Sequence, residues 1–285
     1  MKTLEGKTAI ITGASRGIGT AIAQRFAAEG ATVIVSARTL EAHDRLPGSL
    51  TETVAMIEKA GGKAYAIQAD MSDYTSRQAL FERAVEIAGP VDILVNNAAA
   101  CFYLTIENLS DKRAHIAMEV NFHAPMHLSQ LVLPGMRERQ SGWILNISSA
   151  TCKHVDGPPY SEWHSKGGAM LYGASKAALN RMSSGLAAEV FEDHIVVNSM
   201  APKSGVVTPG LEALANDGNE LPFIPEPIEA MAEAALLLCS CSRDMHTGES
   251  TYSVDLLQRD ERDVKELDGK GHIELDFAQY DTWKV

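Results

Sequence analysis

Thr12-Gly13-Ala14-Ser15-Arg16-Gly17-Ile18-Gly19 is the stretch whose reading decides the fold. The apolar run Thr8-Ala9-Ile10-Ile11 leads into it. A helical pattern from Ile18 to Glu29 follows, with Ile18, Ile22 and Phe26 at helical spacing. Strand, glycine turn and helix together aim backbone N–H groups and a helix N-terminus at an anion such as a pyrophosphate. Gly13 can take a backbone conformation closed to other residues. Gly17 lets the backbone approach phosphates, and Gly19 lets the helix pack on the strand. The spacing is Gly-x-x-x-Gly-x-Gly and differs from the Gly-x-Gly-x-x-Gly dinucleotide fingerprint. Taken alone, such a turn also suits a tight strand–helix connection with no ligand.

The chain beyond the turn alternates strand and helix. Buried strands are expected at Thr32–Ala37, Lys63–Ala69, Val91–Val95, Trp143–Ile147 and Ile195–Val197, with a short last strand at Ser250–Val254. Continuous apolar runs of this kind suit parallel strands covered on both faces. Helices are expected at Leu50–Ala60, Ser76–Ala88, Leu171–Phe191 and Ile228–Cys239. A longer helix capped by Ser110 runs toward Arg139, bent at Pro125 and ending near Pro134. The alternation predicts a single α/β domain, residues 1–254, built on a doubly wound parallel sheet with helices on both faces. Residues 255–285 form a C-terminal extension with nine acidic and five basic residues, and with Phe277, Tyr280 and Trp283 near its end. It reads equally as a solvated tail or as a segment docked on this or a neighbouring subunit.

At 285 residues, one large domain is expected rather than two. A formal charge of −12 with no basic stripe argues against a nucleic-acid partner. No apolar run approaches the ~18 residues of a membrane span, and the polar opening Met1–Gly6 is unlike a signal peptide. Cys101, Cys152, Cys239 and Cys241 read as reduced thiols of a cytoplasmic protein. His123 and His127 share a helix face without the glutamate of a zinc motif, so no metal is expected.

Tyr172-Gly173-Ala174-Ser175-Lys176 is the second informative stretch. A tyrosine and a lysine four apart share a helix face. A nearby ammonium lowers a phenol's pKa from its usual value of about 10, so the pair can exchange a proton with a carbonyl or alcohol oxygen. Asn96-Asn97-Ala98 follows the fourth strand and Ser148-Ser149 the fifth, so these groups and the glycine turn converge on one sheet edge.

This ordered set resembles the short-chain dehydrogenase/reductase family, and the resemblance runs from Lys7 to about Val254. The Lys7–Ala69 half, with its Arg38–Ser49 loop, is more loosely similar to the hydroxysteroid dehydrogenase-like branch. The resemblance implies an oxidoreductase interconverting a ketone or aldehyde and an alcohol. Tyr172 would be the general acid/base, Lys176 would hold the nicotinamide ribose, and Ser149 would bond the substrate oxygen. Asn121 would support a proton relay through water. Gly13, Ser15, Arg16, Gly17, Ile18 and Gly19 would form the nucleotide turn. Asp70 and Met71 would lie near the adenine. Asn97, with Ala98, would contact the adenosine side or stabilise the sheet, and Pro202 would border the nicotinamide. Family members commonly pair through the two helices carrying Met118, Phe122, Met126 and Leu186, so a homodimer or homotetramer is implied.

The sequence departs from that pattern in four places. The gap between Ser149 and Tyr172 is long, which leaves Ser148 and Ser161 as alternatives to Ser149. Ala99 and Lys203 stand where glycine is usual, and Thr208 is one residue late. At the end of the second strand, Ala37 occupies the place of the carboxylate that an NAD enzyme uses, and Arg38 follows. NADP(H) is therefore the expected cofactor, with Arg38 and Arg16 near its 2′-phosphate, and NAD the second choice. Pro158, Pro159, Tyr160, Trp163, Leu211, Leu214 and Phe223 lie in segments expected to border the cleft. They suit an apolar or aromatic substrate, or equally loops packing on their own aromatics. A catalytically idle dinucleotide-binding protein and an acyl-carrier ketoreductase are the alternative functions.

Overall fold

The structure is a computed structural model and describes residues 2–42, 47–214 and 224–280. Seven strands form one sheet: β1 (Thr8–Thr12), β2 (Thr32–Ala37), β3 (Lys63–Gln68), β4 (Ile93–Asn96), β5 (Gly142–Ile147), β6 (Ile195–Ala201) and β7 (Ser250–Tyr252). Their spatial order is β3-β2-β1-β4-β5-β6-β7, and every pair is parallel. The chain starts in the middle of the sheet, winds outward through β2 and β3, and crosses back to β4. That reversal opens a crevice between the carboxyl ends of β1 and β4. The expected doubly wound α/β sheet is therefore present.

The helices are α1 (Gly17–Ala28), α2 (Leu50–Lys59), α3 (Tyr74–Ala88), α4 (Asp111–Met118), α5 (Ala124–Arg139), α6 (Glu162–Lys166), α7 (Met170–Glu189), α8 (Pro209–Leu214), α9 (Ile228–Leu238) and α10 (Ser253–Arg259). Strand residues alternate between two hydrophobic layers, as a period of two requires. Ala9, Ile11, Val33 and Val35 face one layer with Ile22, Phe26, Ile57, Met231 and Leu256 from α1, α2, α9 and α10. Ile10, Ile34, Leu94 and Val197 face the other with Leu80, Leu128, Val132 and Ala187 from α3, α5 and α7. Among the described residues no helix is long and apolar enough to cross a membrane.

The long helix expected after Ser110 is built differently. Ser110 does cap α4, its side chain accepting from the Arg113 N–H. A π turn, Glu119–His123, then separates α4 from α5. Pro134 does not end α5, which runs on to Arg139 and closes at Gln140 in the left-handed region, φ 51°. Proline removes only one N–H bond, to the carbonyl of residue 130, and Gln130 lies on the solvent side. The last strand is shorter than expected, because Ser253 and Val254 already belong to α10. Of the residues expected on outer helix faces, Met126 is exposed, Met118 and Phe122 are half-buried, and Leu186 packs on the second layer.

Beyond α10 the chain docks on its own sheet. β8 (Val264–Lys265) and β9 (His272–Ile273) form a small antiparallel ribbon. Val264 and Tyr280 are buried in the first layer, and Leu267, Ile273, Leu275 and Phe277 pack against it. Trp283 lies outside the described residues. A buried ion network joins this segment to the body. Glu233 on α9 accepts from Arg25 Nε at 2.7 Å and from Arg262 Nη2 at 2.7 Å, and Arg25 Nη1 reaches Glu29 at 2.7 Å. Arg25 and Glu233 have no exposed side-chain surface. Removing one member strands the other's charge. Glu233→Ala is therefore expected to lower unfolding free energy by about 3–5 kcal/mol, read as a shift of the urea midpoint. A change below 1 kcal/mol would show that the network carries little.

Candidate active site

The glycine turn is shaped by what lies behind it. Gly13 and Gly17 have φ of +67° and +58°. A Cβ at Gly13 would lie 2.8 Å from Ala98 Cα, and one at Gly19 would lie 2.5 Å from Asn97 Nδ2. Asn97 fills that space because its amide donates to the Thr12 and Gly13 carbonyls at 2.9 and 3.2 Å. Thr12 Oγ1 in turn accepts from the Asn97 and Ala98 N–H groups at 3.0 and 3.1 Å. Of the two roles open to Asn97, the geometry shows the stitching of β4 to the turn. The Ala14 carbonyl accepts from Thr20 and Thr53 hydroxyls at 3.1 and 2.9 Å, which secures the turn to α1 and α2. Ser15 is buried and Ile18 packs on the first layer.

Arg16 stands in extended conformation at the N-cap of α1. Its Nη2 donates to the Gly48 carbonyl at 2.8 Å, while its Nε is buried without a partner among the described residues. Arg38 is exposed just past β2. Burial and the neighbouring Arg38 charge hold the Arg16 pKa below its ordinary value, against the pull of Glu52. At the end of β3, Asp70 Oδ1 accepts from the Ser72 N–H and hydroxyl at 2.9 and 2.8 Å. The Met71 side chain is buried in the second layer.

On the other side of the crevice, Tyr172 and Lys176 share one turn of α7. Ser149, at the end of β5, lies beside the Tyr172 phenol. It accepts from Thr151 N and Oγ1 at 3.3 and 3.0 Å, which shapes the 3-10 turn Ala150–Cys152. Gly173 makes this approach possible, since a Cβ there would run into the Thr151 carbonyl. The structure separates the three serines: Ser149 meets the phenol, Ser161 caps α6 on the surface, and Ser148 is buried with an unpartnered Oγ.

The electrostatics differ from expectation. Burial pushes the Tyr172 phenol above its ordinary range, Cys101 adds to this, and the Ser149 hydroxyl opposes it. Lys176 is not what tunes it here. Its Nζ lies 5.8 Å from the Tyr172 ring centroid and donates to the Ile147 carbonyl at 2.7 Å. Lys176 is itself buried, and this lowers its pKa to about 8 despite the opposing influence of Cys101 and Cys152.

Asn121 sits in the π turn with no exposed surface. Its Oδ1 accepts from the Ala100 N–H at 2.8 Å, and its Nδ2 donates to Ala100 O at 2.9 Å and Ser175 Oγ at 3.0 Å. Ser175 Oγ then donates to the Tyr172 carbonyl at 2.7 Å. The asparagine thus ties the loop after β4 to the helix bearing Tyr172 and Lys176. π turns recur at functional sites for this kind of re-aiming.

Sequence reasoning missed Cys101 and Tyr103. Tyr103 lies beside Cys101, whose thiol is pushed up to about 11 chiefly by burial. The Tyr103 ring meets Tyr172 edge-on, centroids 6.1 Å apart, and Trp163 at 6.5 Å. The segment between Ser149 and Tyr172 is held there by a Leu104 N–H bond to Gly168 O at 3.0 Å. The signal available in the sequence was position alone, five residues past Ala98. Pro202 follows directly on β6. Thr208 approaches Gly17, and its hydroxyl caps α8 through the Leu211 N–H at 3.2 Å. Phe223 lies outside the described residues, as do the side chain of Leu214 and residues 43–46.

The glycine turn, the stitched β1–β4 crevice and the Ser–Tyr–Lys group lie on one sheet edge, and residues 7–218 match the family model described as short chain dehydrogenase. The chain belongs to the short-chain dehydrogenase family. It is a dehydrogenase/reductase by that membership. It is 34% identical over 265 residues to hydroxysteroid dehydrogenase-like protein 2 of Xenopus laevis, covering 93% of this chain and 60% of that protein. This chain therefore spans less than two thirds of that relative. A short chain dehydrogenase structure from Mycobacterium thermoresistibile superposes with a TM-score of 0.78 at 31% identity, covering 90% of this chain and 88% of that one. A 3-oxoacyl (acyl-carrier-protein) reductase from Agrobacterium tumefaciens C58, solved with NADP bound, gives 0.71 at 31% identity over 87% and 93%.

The role of Gly173 in this family member is open to test. Gly173→Val forces the Thr151 carbonyl away and parts Ser149 from Tyr172. Oxidoreductase turnover is expected to fall at least ~100-fold, with the far-ultraviolet circular dichroism unchanged. Activity within threefold of wild type would show that the close approach is not needed.

Proposed function

We propose that this chain interconverts a ketone or aldehyde and an alcohol with NADP(H). The observation that carries the proposal is the meeting of Ser149, Tyr172 and Lys176 across the crevice from the glycine turn. When bound, the nicotinamide supplies or accepts the hydride. The chain's own residues do the rest. Ser149 donates a hydrogen bond to the carbonyl oxygen. Tyr172 would give its phenolic proton to that oxygen, and take a proton back in the alcohol direction. Lys176 would hold the nicotinamide ribose hydroxyls. The α1 N-terminus and the turn Gly13–Gly19 would take the pyrophosphate, and the left-handed backbone at Gly13 and Gly17, φ +67° and +58°, supports this fit.

A half-buried tyrosine with a raised pKa stays protonated at neutral pH, which suits the reduction direction. Tyr103 and Trp163, 38% and 42% exposed, form an aromatic wall beside Tyr172. Apolar or aromatic carbonyls are the substrates that such a wall favours.

Tyr172→Phe removes only the phenol oxygen. Turnover of a panel of aryl and alkyl ketones with NADPH is expected to fall ~10²–10⁴-fold, with NADPH affinity by calorimetry within threefold of wild type. A retained rate, or no turnover by the wild type, would count against the reaction.

Cofactor choice follows from Ala37, Arg38 and Arg16. A guanidinium bond to a phosphate contributes about 1.5–3 kcal/mol. NADPH is expected to bind at least ~10-fold more tightly than NADH, and Arg38→Ala to weaken NADPH by a similar factor while leaving NADH unchanged. Equal wild-type affinities, or equal losses, would remove both arginines from phosphate recognition.

A further inference from the structure

The loop that leaves β6 is anchored by a buried carboxylate outside the site described above. Glu226 is 2% exposed. Its Oε1 accepts from the Ser204 N–H at 2.7 Å, and its Oε2 accepts from the Ser253 hydroxyl. The Glu226 N–H donates to Gly205 O at 2.8 Å, and Val206 pairs with Glu226 as an isolated parallel bridge. Ser204 Oγ closes the set on Ile224 O at 2.6 Å.

One of these links, and an ion pair from Lys203, lead into α10. Ser253 begins that helix, with no exposed surface, and Asp255 lies two residues on, 2.7 Å from Lys203 Nζ. Lys203, which stands where glycine is usual, thus faces a carboxylate from the C-terminal segment. The far end of the loop is Thr208, whose methyl would be 3.0 Å from a Cβ at Gly17. One end of the loop is tied to the C-terminal segment, and the other rests on the glycine turn.

We infer that Glu226 is a positioning residue: with Ser253 and Asp255 it makes the C-terminal helix a brace that sets the 203–208 loop over the dinucleotide crevice. The inference rests on the reading of that crevice as the NADP(H) site. A buried carboxylate is costly unless its oxygens are filled. Here one donor is a backbone N–H of the loop itself and the other is the Ser253 hydroxyl of α10, so the loop's conformation, its tie to that helix and the carboxylate's satisfaction are one condition. Asp255 adds an exposed and therefore weaker contact. Glu226 touches none of the reacting groups, so it acts on cofactor affinity and not on the proton transfer.

The test is NADPH titration by calorimetry and steady-state kinetics on the full chain. Glu226→Gln turns one acceptor into a donor facing an N–H or a hydroxyl. It is expected to weaken NADPH at least ~10-fold and raise its KM alike. The kcat at saturating NADPH and the KM for the carbonyl should stay within threefold of wild type. Ser253→Ala removes one bond and is expected to weaken NADPH about threefold, and it decides the matter if Glu226→Gln does not fold. Folded variants that bind NADPH as tightly as wild type, or that lose kcat in step with affinity, would overturn the brace alone. A wild type that does not bind NADPH would overturn the brace and the cofactor reading together.

Discussion

The stitch between β1 and β4 is the constraint on which the rest of the structure depends. Thr12 and Asn97 exchange backbone and side-chain bonds across the one point where the strand order reverses. Parallel strands diverge there because their connections run to opposite faces, and the backbone groups at their ends lose their ladder partners. Asn97 supplies those partners and at the same time fills the volume that side chains at Gly13 and Gly19 would need. The glycines are small because an amide lies behind them, and the face they leave free points to the crevice.

The catalytic side is held by a second set of short links. Asn121 joins the loop after β4 to Ser175, Ser175 bonds the Tyr172 carbonyl, and Gly173 admits the turn that bears Ser149. These contacts are buried, so each carries the cost of an unmade bond if broken. The same burial sets the acid–base balance. It keeps Tyr172 protonated and brings Lys176 to about 8, close to neutrality.

Much of this was legible in the sequence. Ile10 and Ile11 read as a buried strand, the glycine spacing read as a strand–helix turn, and Tyr172 and Lys176 read as one helix face. These are local signals with a fixed period. The π turn at Glu119–His123 was not legible, because Pro125 and Pro134 signal a break without saying where the hydrogen-bond register shifts. The direction of the Tyr172 shift was misread for a related reason. Spacing predicts which groups are neighbours, but not that the Lys176 ammonium turns to the Ile147 carbonyl. Lys203 shows the same limit: its partner, Asp255, lies 52 residues away. The docking of Phe277 and Tyr280 likewise depends on a hydrophobic layer whose residues come from far off in the chain.

The central claim is that this edge delivers a hydride and a proton to one carbonyl. Isotope transfer tests it most directly. NADPH deuterated at C4, prepared in each of its two stereochemical forms, is incubated with the protein and an aryl ketone in ordinary water. The account predicts that one form places deuterium on the carbinol carbon of the alcohol and the other does not, with the hydroxyl proton drawn from solvent. Alcohol formed without deuterium from either form, or no alcohol at all, would contradict it.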